Sequence, residues 1–252
     1  MKFKALAWSC EHHPYMTDEA QERVLSLVRK HSRGLTHIVR LGDVHEAAAA
    51  SRHTDEHEHT QEDEYERSGQ FTETLNRLVG RKVRKVWCLG NHDDNLQAPD
   101  SARVPRNLRS LVHWNANRRW GPSFSKWEQV PYVKDDRGVF QLGQAIFFHG
   151  FDCSSRSDET EGLQMNYLCG GYGHRITIRG HTHRPVAPIQ VRRSLNVPLS
   201  HWVANAGTVG PLKPNYSRRL YTGEWAFGAI LIEGRDNGPC SPSREWAAQL
   251  IS

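Results

Sequence analysis

Apolar and polar residues change their spacing several times along the chain, and each change marks an element. The short apolar-rich run Lys2–Trp8 (KFKALAW) reads as a first strand. Beyond it, Ala20, Val24, Leu27 and Val28 form an apolar stripe at helical spacing. Thr17 or Asp18 supplies the N-cap, Asp18 and Glu19 sit in the first turn, and Arg29 and Lys30 close the last one. This helix is predicted to run to about His31 and to stop at Gly34. Thr36–Leu41 (THIVRL) is a second predicted strand, and a polar insertion from Glu46 to Thr60 follows it. A helix from about Glu62 to Val79 carries Tyr65, Leu75, Leu78 and Val79 near helical spacing, and Val83–Leu89 is a third strand.

The segment from Asn95 to Val130 holds neither period and is rich in Arg and Trp, so a helix plus long loops over one end of the sheet is expected there. Val139–Gln141 and Ala145–Phe148 form a predicted hairpin with its turn at Leu142–Gly143, and a helix covers Asp158–Leu168. Further strands are expected at Ile176–Arg179, Val186–Val191, His201–Ala204 and Trp225–Ile232. Helices alternate with strands early and strands dominate late. That order predicts an α/β fold, a four-layer α/β/β/α sandwich of two mixed sheets with helices outside.

A chain of 252 residues can bury a full core as one domain over 1–252, and no Gly/Ser-rich or Pro-rich spacer divides it. The polar insertion at about 46–60 and the Arg/Trp-rich region at about 95–130 are read as elaborations of that domain. A strand starting at Lys2 leaves no signal peptide before the fold, and no apolar run reaches membrane-spanning length. Cys10, Cys88, Cys153, Cys169 and Cys240 are odd in number and widely spaced, which favours the reducing cytoplasm over a disulfide framework. The formal charge of +5 is carried mostly by arginine, with pairs at Arg118–Arg119, Arg192–Arg193 and Arg218–Arg219. A basic surface suits a polyanion such as DNA or RNA, and equally suits a merely solvated exterior.

Five polar clusters each fall just beyond a predicted strand. They are Cys10-Glu11-His12-His13, Gly42-Asp43, Gly90-Asn91-His92-Asp93, His149-Gly150 and Gly180-His181-Thr182-His183. In open α/β sheets ligands gather at the carboxyl ends of strands, so these loops are expected to converge on one site. Imidazole and carboxylate together suit Mn, Fe or Zn, and a carboxylate can bridge two cations. Such a pair, about 3.5–4 Å apart, polarises a phosphoryl oxygen and lowers the pKa of a bound water toward about 7.

On these residues the chain resembles the calcineurin-like metallophosphoesterases, whose pattern runs D-x-H, G-D-x-x-[DE], G-N-H-[DE], a lone His and G-H-x-H. Gly42-Asp43-Val44-His45-Glu46, Gly90-Asn91-His92-Asp93, His149 and Gly180-His181-Thr182-His183 match in order. Asn205-Ala206-Gly207-Thr208 resembles a glycine turn often found after the last motif. The first motif is followed by His-Pro-Tyr and the second by an alanine-rich insert, and in both features the chain resembles members encoded by bacteriophages and bacteria. The resemblance implies two divalent ions, manganese foremost, and a phosphate ester opened by a metal-bridging hydroxide. It implies that Asp43 bridges both ions, that His12 and His183 bind the first, and that Asn91, His149 and His181 bind the second. His92 would act as general acid, oriented by hydrogen bonding to Asp93.

The first motif departs from the pattern, because Cys10 stands where the family has Asp. Reading Cys10-x-His12 keeps the continuation through Pro14 and Tyr15, whereas Glu11-x-His13 restores a carboxylate but sets His directly before Pro14. The Cys10 register is favoured. A thiolate there would bias the first site toward Zn or Fe; the plainer reading is a small buried residue beside a weakly held ion.

Other features carry two readings each. His45 can face the site or serve locally, and the local role is simpler. The tract His53–His59 can bind a further metal or be a solvated mixed-charge loop, and the loop is simpler. Trp114, Trp120 and Trp127 can stack bases or be part-buried in a lid or an oligomer contact. Arg156 and Arg218–Arg219 are phosphate-clamp candidates without positional support. The leading function is a phosphodiesterase or nuclease acting on nucleic acid or nucleotides. A phosphomonoesterase, including a protein phosphatase, is the alternative, and a metal-poor interaction scaffold is the rival from another class.

Overall fold

The computed structural model describes residues 1–50, 59–97, 105, 110–154, 156–170, 175–191, 201–212, 223–235 and 246–251. In chain order the elements are β1 (Lys2–Trp8), α1 (Asp18–His31), β2 (His37–Arg40), α2 (Gln61–Val79), β3 (Arg84–Cys88), α3 (Asn91–Gln97), α4 (Gly121–Phe124) and β4 (Glu128–Val130). They continue with β5 (Phe140–Leu142), β6 (Ala145–Phe147), α5 (Ser157–Leu168), β7 (Arg175–Arg179), β8 (Pro185–Val191), β9 (His201–Ala206), β10 (Ala229–Arg235) and β11 (Trp246–Ile251).

One sheet has the order β11-β10-β1-β2-β3-β4 and the other the order β5-β6-β7-β9-β8. β1, β2, β3 and β4 run parallel, with Ala5 opposite His37 and Ile38 opposite Lys85, while β10 and β11 close that sheet antiparallel. In the second sheet β6, β7 and β9 are parallel, and β5 and β8 are antiparallel edges. Parallel strands need crossovers, and α1 and α2 supply them between β1, β2 and β3.

Period-two alternation sorts the strand side chains into layers. Phe3, Ala5, Ala7, Val39, Leu41, Val86 and Cys88 turn inward to meet Phe147, Ile176, Ile178, Ala204 and Ala206 of the second sheet. On the outer face of the first sheet, Leu6, Trp8, Ile38 and Trp87 pack against Val24, Leu25 and Val28 of α1, Phe71 and Leu75 of α2, and Phe124 of α4. Ile146 and Phe148 meet Met165 of α5 on the far side of the second sheet. The layers are therefore helix, sheet, sheet, helix, as the order of elements predicts.

The cap read from the sequence for α1 is present, and α2 has one that was not read. Thr17 accepts from the Ala20 N–H at the start of α1, and Thr60 forms a capping box with Asp63 at the start of α2. Four elements differ from the expectation. α3 begins inside the Gly90–Asp93 cluster rather than after it, β4 is a short strand on the edge of the first sheet, β10 runs from Ala229 to Arg235 rather than from Trp225 to Ile232, and β11 was not predicted. The described part of the Arg/Trp-rich region packs against the outer face of the first sheet, the Trp114 ring lying 4.7 Å from that of Trp87 in β3. It sends Trp114, Phe124 and Trp127 into the core beside α2, where Trp127 Nε1 donates to Asn76 Oδ1. Trp120 packs on Gly69 and donates to Glu66. Buried indoles are no stacking platform, so Trp114 and Trp127 do not stack bases. Among the described residues no helix is long and apolar enough to cross a membrane.

Candidate metal centre

The loops after β1, β2, β3, β6 and β7 meet at one edge of the sandwich, and the backbone ties them together. The Cys10, His12 and His13 N–H groups donate to the Gly42, Asp43 and Val44 carbonyls at 3.0, 2.9 and 3.0 Å, so the first two loops extend the β1–β2 pairing beyond the strands. The Gly180 N–H donates to the His149 carbonyl at 2.9 Å and the Val209 N–H to the Ser9 carbonyl at 3.0 Å. Asn205 explains the turn after the last motif, since its amide reaches Gly180 O and Thr182 Oγ1, and Thr208 Oγ1 donates to Cys10 O.

Close approach needs glycine at two of these turns. A Cβ on Gly90 would run into Asp43 Oδ1, and one on Gly42 would meet the His149 ring and the Gly90 backbone. Among the described residues, six that are not glycine have left-handed φ: Cys10, His12, Asp43, Ala47, His181 and His183. Five of the six are residues the resemblance puts in the metal site. Such backbone costs about 1–3 kcal/mol each and persists where the surroundings over-determine it, as functional loops do.

The side chains form two groups that share Asp43. In the first, His12 Nε2 lies 3.1 Å from His183 Nε2 and 3.8 Å from Asp43 Oδ2, while His12 Nδ1 is held by Glu46 Oε2 at 2.7 Å. In the second, His149 Nε2 lies 3.1 Å from Asp43 Oδ2, 3.2 Å from Asn91 Oδ1 and 3.0 Å from His181 Nδ1, and His149 Nδ1 faces the Leu41 carbonyl. Cys10, His12 and His183 offer donor atoms within 4.8 Å of one another, and so do Cys10, Asp43 and His149. The structure thus brings together Cys10, His12, Asp43, Asn91, His149, His181 and His183.

The donors fit a cation. His149 Nδ1 is committed to the Leu41 carbonyl, so its Nε2 faces a carboxylate oxygen, an amide oxygen and another ring nitrogen. His12 Nδ1 is likewise committed to Glu46, which leaves Nε2 facing His183. Lone pairs gathered this way repel unless a proton or a metal ion stands among them, and this buried His/Asp/Cys cluster can hold a metal ion.

Electrostatics agree with the geometry. Burial alone would raise the Asp43 carboxyl, but His149, His92 and His12 hold it well below the usual carboxylate range. His181 is pushed down to about 3 by burial and then by His149, and burial followed by His12 lowers His183 well below its ordinary value. Both rings are neutral at pH 7, the form that ligates. Burial and then the Asp43 carboxylate push the Cys10 thiol well up. Burial opposes charge on His92 too, yet Asp43 and Glu46 outweigh it and raise that ring to about 9.

One assigned role needs correction. His92 Nδ1 is held at 2.6 Å by the main-chain carbonyl of Glu46, not by Asp93. The Asp93 carboxylate instead accepts from the Val44, His45 and Gly90 N–H groups and from Trp87 Nε1 at 3.0–3.2 Å. Asp93 therefore clamps the second and third loops together, and Glu46 orients both His12 and His92. The Asp/Glu at the end of the second motif was the signal for Glu46, and its reach to His12 was not read from it.

The register at the first motif is also resolved. Glu11 is buried on the helix-layer side, in an ion pair with Arg40 Nε at 2.8 Å and within 3.1 Å of His13 Nε2, whereas Cys10 and His12 face the cluster. His45 takes the local role: it stacks on Trp114 inside a box with Tyr65, Trp87 and Phe124. Cys153, which no motif marked, places Sγ 3.0 Å from His181 Nε2, on the ring's far side from His149. Arg156 is exposed beside Glu159, away from the cluster's contacts. His53–Glu58, the Arg192–Arg193 and Arg218–Arg219 pairs and Cys240 lie outside the described residues, while His59 rests edge-on against Tyr15.

No family model matches the chain, and no curated protein matches it. Among solved structures, the hypothetical protein PH1004 from Pyrococcus horikoshii OT3 is similar with a TM-score of 0.49 and 9% identity, covering 99% of this chain and 87% of that one. Vps29 of Chaetomium thermophilum is similar with a TM-score of 0.37 and 10% identity, covering 99% of this chain and 95% of that one.

Proposed function

We propose that this chain is a metal-dependent phosphoesterase of the calcineurin-like kind, with two divalent ions held on either side of Asp43. The observation that carries the reading is the pair of lone-pair clusters, His12 with His183 and His149 with Asn91 and His181, each within 3.8 Å of the Asp43 carboxylate or in contact with a residue that is. His12, His183 and Cys10 would hold one ion; Asn91, His149 and His181 would hold the other. Bound there, the cations supply Lewis acidity toward a phosphoryl oxygen and a water of lowered pKa.

The chain's own residues divide the remaining work. Glu46 fixes the His12 tautomer and aims the His92 ring. His92 is about a fifth exposed, and with Nδ1 given to Glu46 it keeps Nε2 free for the substrate. In the metal-free chain Asp43 and Glu46 raise the ring to about 9, and with Nδ1 held by Glu46 it is Nε2 that would pass a proton to the leaving oxygen, as a general acid must. Asp93 and the left-handed turns keep this arrangement assembled before substrate arrives, which lowers the reorganisation needed during reaction.

Within that class we favour a phosphodiester of nucleic acid or a nucleotide, on the net charge of +5 and its arginine content. The test is turnover of bis-p-nitrophenyl phosphate against p-nitrophenyl phosphate with manganese, followed by single-stranded and duplex DNA. Cleavage of the diester and of DNA is expected; cleavage of the monoester alone would move the assignment to a phosphomonoesterase. Fewer than one bound metal per chain with no manganese-stimulated turnover would favour the scaffold reading.

A further inference from the structure

We infer that the centre is chemically asymmetric: Cys10 ligates the first ion as a thiolate, so the site it forms with His12 and His183 takes zinc or ferrous iron. The neighbouring site of Asn91, His149 and His181 brings only oxygen and nitrogen donors of its own, while Cys10 also lies within 4.8 Å of Asp43 and His149 donor atoms at the boundary between the two. This rests on the metal-dependent reading above and adds the ligand chemistry of one half of it.

Three observations support sulfur as the donor. First, Cys10 offers Sγ within 4.8 Å of a donor atom on each of His12 and His183, all three side chains being buried. With bonds of about 2.0–2.1 Å to nitrogen and 2.3 Å to sulfur, donors of one zinc ion lie no more than roughly 4.4 Å apart, so the group is close to the span of a single ion. Second, the carboxylate that could replace the thiolate is committed elsewhere. The left-handed backbone at Cys10 and His12 breaks the alternation of β1, so that Cys10 and His12 face the cluster while Glu11 and His13 join Trp8 on the helix layer. There Glu11 meets Arg40, Trp8 and His13, and His13 packs on Phe71. Bringing Glu11 round would break a buried ion pair and flip both histidines as well. Third, the sulfur is fixed from behind. Cys10 has φ 59, its N–H donates to Gly42 O, Thr208 donates to its carbonyl, and the Ser9 hydroxyl lies 3.1 Å from Sγ. The same hydroxyl lies 2.8 Å from the Gly207 carbonyl, so its one hydrogen is shared between that oxygen and the sulfur.

Binding is a proton exchange without redox change. The S–H bond breaks, its proton leaves to solvent, and the sulfur lone pair forms the bond to the cation. Thiolate donors favour zinc and iron over manganese, which prefers carboxylate and water. An aspartate in the same place would remove that preference.

The test uses the full chain, stripped with a chelator and titrated with Co2+ as the probe. The expected result is sulfur-to-cobalt charge-transfer absorption in the near ultraviolet, lost in Cys10→Ser and kept in Cys153→Ser. Visible cobalt bands persisting in Cys10→Ser would show that this variant still folds and binds metal. Cobalt bands without charge transfer in the wild type would overturn the inference and leave the metal-dependent reading standing. So would a charge-transfer band lost in Cys153→Ser but kept in Cys10→Ser, because the sulfur donor would then lie beside His181. No cobalt binding at all would overturn both. In dialysis against equal Zn2+ and Mn2+, Cys10→Asp is expected to lower the zinc preference at least about tenfold; an unchanged ratio would count against sulfur ligation.

Discussion

His92 and Asp43 sit within one hydrogen-bonded group, since the His92 N–H donates to Asp43 Oδ1 at 3.1 Å, yet they are assigned different work. Replacing His92 by alanine removes the proton donor and leaves the proposed ligands, so metal content is expected to hold while turnover falls about 10²–10⁴-fold. Asp43→Ala should lose both metal and turnover. Equal activity in His92→Ala and the wild type would refute the general acid. The ring also has a pH signature. In the metal-free protein its pKa of about 9 exceeds the ordinary 6.5, so protonation favours the folded state. That contribution is complete below about pH 6.5 and is lost as pH rises through 9. Imidazole NMR should follow this titration, and added divalent ions should move it down, because cations oppose a second positive charge. A ring titrating near 6.5 without metal would contradict the role given to Asp43 and Glu46. Glu46→Gln keeps the shape but weakens the hold on His12 Nδ1, and isothermal titration should find metal affinity lowered about 10–100-fold.

The elements explain why those residues meet. Strands β1 to β3 were legible because their apolar runs are short and bounded, α1 because of its cap and apolar stripe, and α2 because of its apolar spacing; both helices start within a residue of expectation. The polar clusters were legible as motifs at strand ends. What escaped was the long-range pairing that only folding creates: Glu46 with His12, Asp93 across two loops, Cys153 behind His181, and Glu11 against Arg40. Short edge strands such as β4 gave no period to read, and tryptophans in an irregular segment left base stacking and partial burial both open until Trp114 and Trp127 are seen in the core. The Glu11–Arg40 pair joins the end of β1 to β2, with Arg40 also over the Trp127 ring at 4.4 Å. Arg40→Ala leaves a buried carboxylate without its partner, and denaturant unfolding is expected to register a loss of about 3–5 kcal/mol. A loss under about 1 kcal/mol would mean the pair is solvated or dispensable.

At the scale of the molecule, a double sheet between two helical layers presents the carboxyl ends of its parallel strands along one edge, and five loops gather there around a single carboxylate, directly or through a neighbouring ring. The net charge of +5 gives a physical route to polyanionic substrates without naming one. If nucleic acid binds through phosphates, its affinity should fall steeply between about 50 and 200 mM salt, whereas turnover of a small diester should change little. Equal salt dependence for both would place the arginines outside substrate binding. A count of bound ions probes the shared carboxylate without assuming any substrate. After reconstitution with manganese or zinc and equilibrium dialysis, elemental analysis is predicted to find about two per chain, falling below one in Asp43→Ala. A wild-type chain that retains none, or an Asp43→Ala variant that keeps the full complement, would contradict a centre built around that carboxylate.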